Sequence, residues 1–459
     1  MRGLTLGERI RRARLAHGLT QEALGKPHLT KGFISLLEHD RAKPSVQTLE
    51  RLAKRLGKPV AYFLDGADLS TSHKVLSTLA SRGRSELSRR RYDAAFGVFT
   101  EMRALAASQG DSRMEMHAIL GTGEALLGLR RLDEAHPHLE DALERGRAAK
   151  DTLVECRALH GLATTEHRAG HFPRAASLYR AALSIIPALG GAEPTLHGEI
   201  WLFLATVLTR MGHMDEALDA NTRAREIFED ASRPEKVGEA LQGLANVLAT
   251  SGDYDAAFVY YERARVLFEQ YEDLQMTSYV RNNLGVLLVR LGRPREALEH
   301  LSVSLAIKQR IADAVGECHT LTELARCHFV CEDRDRAREL ADRAIARSRM
   351  AGVPDEEARA QIVLGTIAAQ SGDLEAAQHL FLLASRHCEQ AGMRPEMVTV
   401  SRDLARIASS QGRYQEAAAY HEEAFEALRS AGSRDILAAL DIWEMMARVP
   451  SPRAAPADG

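Results

Sequence analysis

One interval recurs through most of this chain and restricts its fold more than any other feature. An alanine follows a predicted turn at positions 95, 135, 175, 217, 257, 297, 337, 377 and 417. The interval between successive alanines is 40 residues, except for one of 42. Five residues before the alanine there is a glycine in six of the repeats, namely Gly170, Gly212, Gly252, Gly292, Gly372 and Gly412. A period of this length is typical of a solenoid, in which each repeat packs against its neighbours.

Each repeat is predicted to be a pair of α-helices. The glycine can take the left-handed conformation that ends the first helix, helix A. The alanine lets helix B approach helix A closely, and a bulky residue such as Tyr254 or Tyr414 packs into the seam. Repeats one, two and seven carry Arg90, Arg130 and Glu332 in place of the glycine. The pattern therefore predicts an all-α chain of nine repeats.

This pattern resembles the tetratricopeptide repeat (TPR), in a form about six residues longer than the usual ~34. The resemblance implies a right-handed α-solenoid with a concave inner surface, on which helix A side chains bind a peptide or protein. The interpretation divides the chain into a head (1–66), a polar linker (67–74), nine repeats (75–433), a capping helix (434–448) and a disordered tail (449–459).

The head differs from the repeats in charge and in helix length. Residues 1–66 carry a net charge of +7, whereas residues 67–459 carry −10. Thr20, Thr30 and Ser45 are good N-caps for short amphipathic helices, and Pro59 can open a fifth helix that ends near Leu64. A small basic helical domain on a large acidic body favours a DNA-binding head.

Three segments of the head carry a family resemblance: Thr20-Gln21-Glu22-Ala23-Leu24, Ile34-Ser35 and Pro44-Ser45. The head resembles the λ-repressor/Cro-like (XRE) helix-turn-helix domain, which has five helices and places its third helix in the DNA major groove. The resemblance implies that Arg14 and Glu38 form an internal ion pair. It also implies that Gly32 and Leu36 stand where many relatives carry polar base readers.

The same resemblance assigns the DNA contacts. Residues that would position the phosphates are Thr20, Gln21 and Lys43. Residues at the start of the third helix, which faces the base edges, are Thr30, Lys31, Gly32, Phe33 and Ser35. Lys31 could pair with a guanine and Phe33 could contact a thymine methyl group. The partner would be double-stranded DNA with two half-sites about one helical turn, roughly 10 bp, apart. A head that binds protein instead remains the alternative.

Two sets of residues are candidates for binding an effector. Three of the four asparagines lie on helix A of neighbouring repeats: Asn246, Asn282 and Asn283. By alignment Asn246 and Asn282 fall at inward-facing positions, where an amide could hold a peptide backbone by donating and accepting at once. Arg168, Arg210 and Arg290 occupy equivalent positions near the end of helix A and could bind a carboxylate. The alternative is that Asn283 packs between repeats and that the arginines are solvated.

Other features of the sequence argue against catalysis and against cofactors. There is no glycine-rich phosphate loop, nucleophile elbow or metalloprotease helix, so we expect no enzyme activity and no cofactor. Cys318, Cys327 and Cys331 could in principle offer thiolates to a metal, but buried packing is the preferred interpretation, with no metal site. No apolar run is long enough to span a bilayer, and no apolar signal segment is present, so we expect a cytoplasmic protein without membrane contact.

The combination of head and body resembles the peptide-responsive regulators of the Rgg/PlcR/NprR (RRNPP) type, some of which act in quorum sensing. The resemblance implies a homodimeric transcriptional regulator whose TPR groove senses a peptide or protein effector. Two alternatives remain open. In one, the TPR body sequesters a signalling protein and DNA binding is secondary. In the other, DNA binding never depends on a ligand.

Overall fold

The computed structural model describes residues 4–58, 62–63 and 69–430, and this part of the chain is α-helical apart from turns and one 3-10 helix at Ile186–Leu189. No β-strand occurs in the described residues, which confirms the all-α prediction. The chain divides into two compact units, residues 1–211 and 212–459. Within the described part, no helix is both long enough and apolar enough to cross a membrane.

Four helices of the head are described, and each begins at a hydroxyl N-cap. Thr5, Thr20, Thr30 and Ser45 each accept a hydrogen bond from a backbone N–H of the first turn. The helices are α1 (Leu6–Ala16), α2 (Gln21–Gly25), α3 (Lys31–Glu38) and α4 (Val46–Arg55). The fifth helix, predicted from Pro59 to Leu64, lies largely outside the described residues.

Helices α1 and α3 cross at Gly7, where no side chain fits. A Cβ atom at Gly7 would lie 2.5 Å from the carbonyl oxygen of Leu37. The Gly7 N–H donates a hydrogen bond of 2.8 Å to the carboxylate of Asp40, just after α3. This close approach fixes α3 against the core of the head.

Nine helix pairs follow within residues 69–430, as predicted. Helix A of successive repeats is α5 (Leu69–Ser88), α7 (Ser112–Gly128), α9 (Thr152–Arg168), α11 (Pro194–Met211), α13 (Pro234–Ser251), α15 (Leu274–Arg290), α17 (Ala314–Val330), α19 (Pro354–Gln370) and α21 (Arg394–Ser410). Helix B is α6 (Tyr92–Gln109), α8 (Leu132–Ala149), α10 (Phe172–Ile185), α12 (Met214–Asp230), α14 (Tyr254–Gln270), α16 (Pro294–Arg310), α18 (Arg334–Ala351), α20 (Leu374–Ala391) and α22 (Tyr414–Ser430).

The turn between helix A and helix B is left-handed in every repeat, whether or not it carries a glycine. Gly252 has φ 87°, and Arg90, Arg130 and Glu332 have φ 58°, 61° and 64°. A non-glycine residue in this region is held there at a conformational cost of about 1–2 kcal/mol. Packing of the flanking helices therefore determines the left-handed conformation of this residue, and a glycine there lowers its conformational cost.

Close helix packing explains the periodic alanines. Each of the nine is at most 4% exposed. In the first repeat Phe99, four residues after Ala95, inserts its ring between Gly83 of α5 and Gly121 of α7. A Cβ atom at either glycine would lie 2.5 Å from that ring. Small residues on two successive A helices thus form the slot for one large residue of helix B.

The boundary between head and repeats differs from the prediction. Residues 69–74, assigned to a polar linker, belong to α5. The polar composition of this segment predicts a linker, but Val75, Leu76 and Leu79 continue a buried helical face. These residues share one hydrophobic cluster with the head, including Leu49 and Phe63. The predicted capping helix and tail, residues 434–459, lie outside the described part.

Candidate DNA-binding surface and effector site

A buried ion pair joins the first and third helices of the head. The Arg14 guanidinium donates to both carboxylate oxygens of Glu38, at 2.5 and 3.0 Å, which confirms the internal pair. Arg14 also donates to the Leu19 carbonyl at 2.7 Å. Burial pushes the pKa of Glu38 upward, but hydrogen bonds from Arg14 and Gln21 outweigh it, so the pKa lies below its ordinary value. The carboxylate therefore stays charged and fixes where α3 lies.

Gln21 is tied to the same carboxylate. Its amide nitrogen donates to Glu38 Oε2 at 2.8 Å across the connection between α2 and α3. Gln21 is half-buried at the start of α2. Gln21, which is proposed to contact a phosphate, is thus hydrogen-bonded to the ion pair that positions the third helix.

The exposed surface of α3 carries most of the predicted base readers. Lys31 and Gly32 are exposed and Ser35 is half-buried. Thr30 uses its hydroxyl to cap the helix, accepting from the Phe33 N–H at 3.2 Å, as Thr20 does for Ala23 in α2 at 3.0 Å. Lys43, in the loop after α3, is exposed.

Phe33 is less exposed than Lys31 and Gly32. It is half-buried and packs against the hydrophobic cluster of the head. Its ring thereby contributes to the core, because it stands one residue before the buried Ile34 on the inner edge of a short helix. Part of the Phe33 side chain is thus used in packing, and its contact with a thymine methyl group stays a prediction.

Two of the candidate asparagines meet on the surface of the second unit. The exposed Asn246 of α13 accepts at Oδ1 from Tyr261 of α14, at 2.6 Å, and from Asn283 of α15, at 3.4 Å. Among the described residues, no other hydrogen bond reaches the amide nitrogen of Asn246 or the amide oxygen of Asn283. The pair presents one donor and one acceptor, the two groups that a peptide unit needs.

Asn282 corrects the prediction made by alignment. It is 3% exposed, and its Oδ1 accepts from Thr320 Oγ1 of the next A helix at 2.8 Å. Thr320 in turn accepts from the buried Lys308 at 2.8 Å. Asn282 thus faces the seam between repeats, and Asn283 is the one that reaches the surface, the reverse of the expected roles.

The buried Lys308 should make stability depend on pH. Burial lowers the pKa of Lys308 to about 8, although Asp313, Glu356 and Glu323 act in the opposite direction. In the unfolded chain Lys308 keeps its ordinary pKa near 10.5. Below pH 8 the folded protein must therefore bury a charged ammonium group, which lowers the free energy of unfolding. This destabilisation decreases as the pH rises and is lost above about pH 10.5. We expect the difference in unfolding free energy between Lys308→Met and wild type to shrink by up to about 3 kcal/mol over that range.

Denaturant unfolding at a series of pH values measures this difference. Groups common to both proteins cancel in the comparison. The exposed Lys150→Met is the matched control and should keep a constant difference from wild type. A constant difference for Lys308→Met as well would contradict the expected titration.

The three arginines differ in exposure and in contacts. Arg168 is exposed, but its guanidinium donates to the Leu127 carbonyl, and partial burial of that group lowers its pKa. Arg210 is exposed. Arg290 donates to Tyr254 Oη at 3.2 Å and lies over its ring, 5.6 Å from the centroid. Arg168 and Arg290 thus have structural contacts that were not predicted.

The cysteine cluster fits packing within helices. Cys318 and Cys327 are buried, and Cys327 donates to the Pro294 carbonyl at 3.1 Å. Burial raises the pKa of Cys327 to about 12, which disfavours the thiolate that a metal would need. No group of three or more metal-ligating side chains was found in the described residues.

Comparison with known families agrees with this division of the chain. A helix-turn-helix family matches residues 10–63. One tetratricopeptide-repeat family matches residues 196–270, 237–310 and 356–430, and another matches 120–192 and 324–387. The chain is a helix-turn-helix protein with a tetratricopeptide-repeat body. None of the curated proteins compared with it matches significantly.

Several solved structures share the fold at low identity. The quorum sensor NprR from B. thuringiensis, in its apo form, is 15% identical with a TM-score of 0.57, covering 77% of this chain and 99% of NprR. A Rap protein complexed with competence and sporulation factor is 16% identical with a TM-score of 0.58, covering 79% and 99%. PH0952 from Pyrococcus horikoshii, a signal transduction ATPase with numerous domains (STAND) that has a tetratricopeptide-repeat sensor, is 12% identical with a TM-score of 0.59, covering 93% and 73%. These likenesses concern the fold alone.

Tyr261 was not singled out from the sequence as a contact, and Leu36 was noted only as an apolar residue where many relatives carry polar base readers. Tyr261 orients Asn246, and its signal was only its place four residues after the periodic alanine. Leu36 is 44% exposed on α3. Neither residue type indicates a ligand by itself, so the structure is needed to show the contact of Tyr261 and the exposure of Leu36.

Proposed function

We propose that this protein is a sequence-specific DNA-binding transcriptional regulator, cytoplasmic and homodimeric, whose TPR body senses a peptide or protein effector. The observation that carries the proposal is the geometry of α2 and α3. A buried ion pair and a close approach at Gly7 fix α3, while Lys31, Gly32 and Ser35 remain accessible. The net charge of +7 on residues 1–66 suits a polyanion.

The proposed contacts divide into two classes. Thr20, Gln21 and Lys43 position the phosphates, and Gln21 does so while held by Glu38. Lys31 and Ser35 contact base edges, and Lys31 suits the two acceptors of a guanine. The capping hydroxyl of Thr30 sets the start of the helix that carries them.

Selection of genomic DNA fragments by the purified full-length protein tests DNA recognition. We expect a compact two-fold symmetric motif that is lost with Gln21→Ala combined with Lys31→Ala. Lys31→Ala alone should weaken specific binding by about 1–3 kcal/mol. The exposed Lys74→Ala, outside the head, is the charge-matched control and should retain the motif. Absence of any enriched motif, with and without added cell extract, would contradict the proposal.

The effector site is proposed at Asn246 and Asn283. Tyr261 fixes the amide of Asn246, so its nitrogen can donate to a peptide carbonyl while Asn283 accepts from a peptide N–H. We expect the change in DNA affinity caused by a peptide fraction of cell extract to be lost in Asn246→Ala. Thr250→Ala, one turn further along α13 and also exposed, should keep the response. An unaltered response in Asn246→Ala would remove this residue from the site.

One alternative stays in view, a TPR body that sequesters a signalling protein while DNA binding is secondary. Affinity capture with the full-length protein would then recover one stoichiometric partner, and DNA affinity would not respond to the peptide fraction. Recovery of a partner together with a peptide response would instead favour the regulator with a protein effector.

A further inference from the structure

Leu36 lies on the exposed surface of α3, in the middle of the residues proposed to face DNA. Its side chain is 44% exposed, whereas the neighbouring Leu37 is 1% exposed. Gly32, one turn earlier on the same side of the helix, has an open surface, since a Cβ atom there would meet only Thr30 Oγ1, at 4.0 Å. Because Gly32 has no side chain, the preceding turn of α3 does not shield Leu36 at this position.

The other apolar side chain on this part of α3, Phe33, is less exposed than Leu36. Phe33 packs against the hydrophobic cluster of the head. Lys31 is exposed but charged, and Ser35 is small and polar. Leu36 is thus the large apolar side chain that α3 presents outward.

The chemistry of the major groove limits what Leu36 can contact there. Base edges present hydrogen-bond donors and acceptors, and the apolar group among them is the C5-methyl of thymine. A leucine cannot satisfy a donor or an acceptor, so a base with only polar edges opposite it would lose its water without compensation. A pyrimidine carrying a C5-methyl group avoids that loss and buries apolar surface on both sides.

We propose that Leu36 is a specificity-determining residue that selects a pyrimidine with a C5-methyl group, one in each half-site. This inference rests on the proposed DNA-binding function. Thymine supplies the methyl group in ordinary DNA, and 5-methylcytosine supplies the same group in modified DNA. Lys31 then reads the hydrogen-bond acceptors of a guanine in the half-site, and Leu36 reads an apolar methyl group.

Replacement of thymine by deoxyuridine removes the methyl group and leaves the Watson–Crick edge unchanged, so it isolates this contact. The best site would be selected from random duplexes by the full-length protein, and each thymine would then be replaced in turn. At one position per half-site we expect affinity to fall about four-fold, the effect of one methyl group leaving an apolar contact. Fluorescence anisotropy with labelled duplexes measures the affinities.

The variant Leu36→Ala should bind the thymine duplex more weakly and should not discriminate thymine from deoxyuridine at that position. Leu15→Ala is the matched control, because Leu15 is also a highly exposed leucine of the head, at 59%, but lies on α1. It should discriminate as wild type does. In a second arm, cytosine and 5-methylcytosine at the same position are compared, and only the wild type and Leu15→Ala should prefer the methylated base.

The outcomes separate this inference from the proposed function. If no site is selected, DNA recognition itself fails, and this inference fails with it. If a site is selected but the wild type is indifferent to deoxyuridine at every position, Leu36 reads no methyl group. Discrimination that persists in Leu36→Ala assigns the methyl contact to another residue and overturns the proposal as well.

Discussion

Replacing Glu38 with alanine is expected to abolish specific DNA binding by unfolding the head. The Glu38 carboxylate is almost fully buried and holds both Arg14 and Gln21. Removing one partner of a buried ion pair leaves the other charge without compensation, which typically costs about 3–5 kcal/mol. A head of about 60 residues has only a few kcal/mol of stability to lose. The loss of binding should therefore accompany loss of structure.

Circular dichroism and DNA affinity measured on the same full-length preparation test this expectation. Glu22→Ala is the matched control, because Glu22 pairs with Lys26 on the surface of α2 with both side chains more than half exposed. Such a pair contributes at most about 1 kcal/mol. The double variant Arg14→Met with Glu38→Leu replaces the ion pair with apolar side chains and should recover part of the stability. A Glu38→Ala protein that binds the selected site as wild type does would show that the pair is not required.

The helix pairs could be predicted from the sequence because the signals that define them are local and repeated. Gly252 marks the left-handed end of α13, and Ala257 marks the close approach of α14. Even where the glycine is missing, as at Glu332, the alanine still fixes the register. Nine occurrences of one pattern allow each repeat to support the interpretation of the others.

The surfaces could be predicted less well, because exposure depends on contacts between repeats. Asn282 and Asn283 are adjacent in sequence, yet one is buried against Thr320 and the other reaches Asn246. A shift of one residue rotates a side chain by about 100° around the helix. Small errors in alignment therefore change which residue meets the next repeat.

In the head, too, the exposure of a side chain depends on contacts with other helices. Phe33 and Leu36 are both apolar residues of α3, and the sequence pattern favours the aromatic one as a base contact. The structure places Phe33 against the core and Leu36 toward the exterior. On a helix of eight residues, the neighbouring helices decide which side is covered, and that information is not local.

The second large effect is expected from Phe99→Ala, which should destabilise the start of the repeat array. The Phe99 ring is 3% exposed and fills the slot between Gly83 and Gly121. Truncating a buried phenylalanine typically costs about 3–5 kcal/mol, since no neighbouring side chain can fill the cavity. Phe99 also belongs to the hydrophobic cluster shared with the head. We therefore expect lost hydrogen-exchange protection in α5, α6 and α7, with protection in repeats six to nine retained.

The two glycines allow the slot itself to be tested. In the wild type, Gly121→Ala places a methyl group against the Phe99 ring and should destabilise, because its Cβ atom would lie 2.5 Å from that ring. In the Phe99→Ala background the same methyl group enters the cavity, so its cost should vanish or change sign. Additive effects of the two substitutions would contradict direct packing. Phe425→Ala is the matched control, because Phe425 is 61% exposed on α22 and its truncation should change stability by less than about 0.5 kcal/mol.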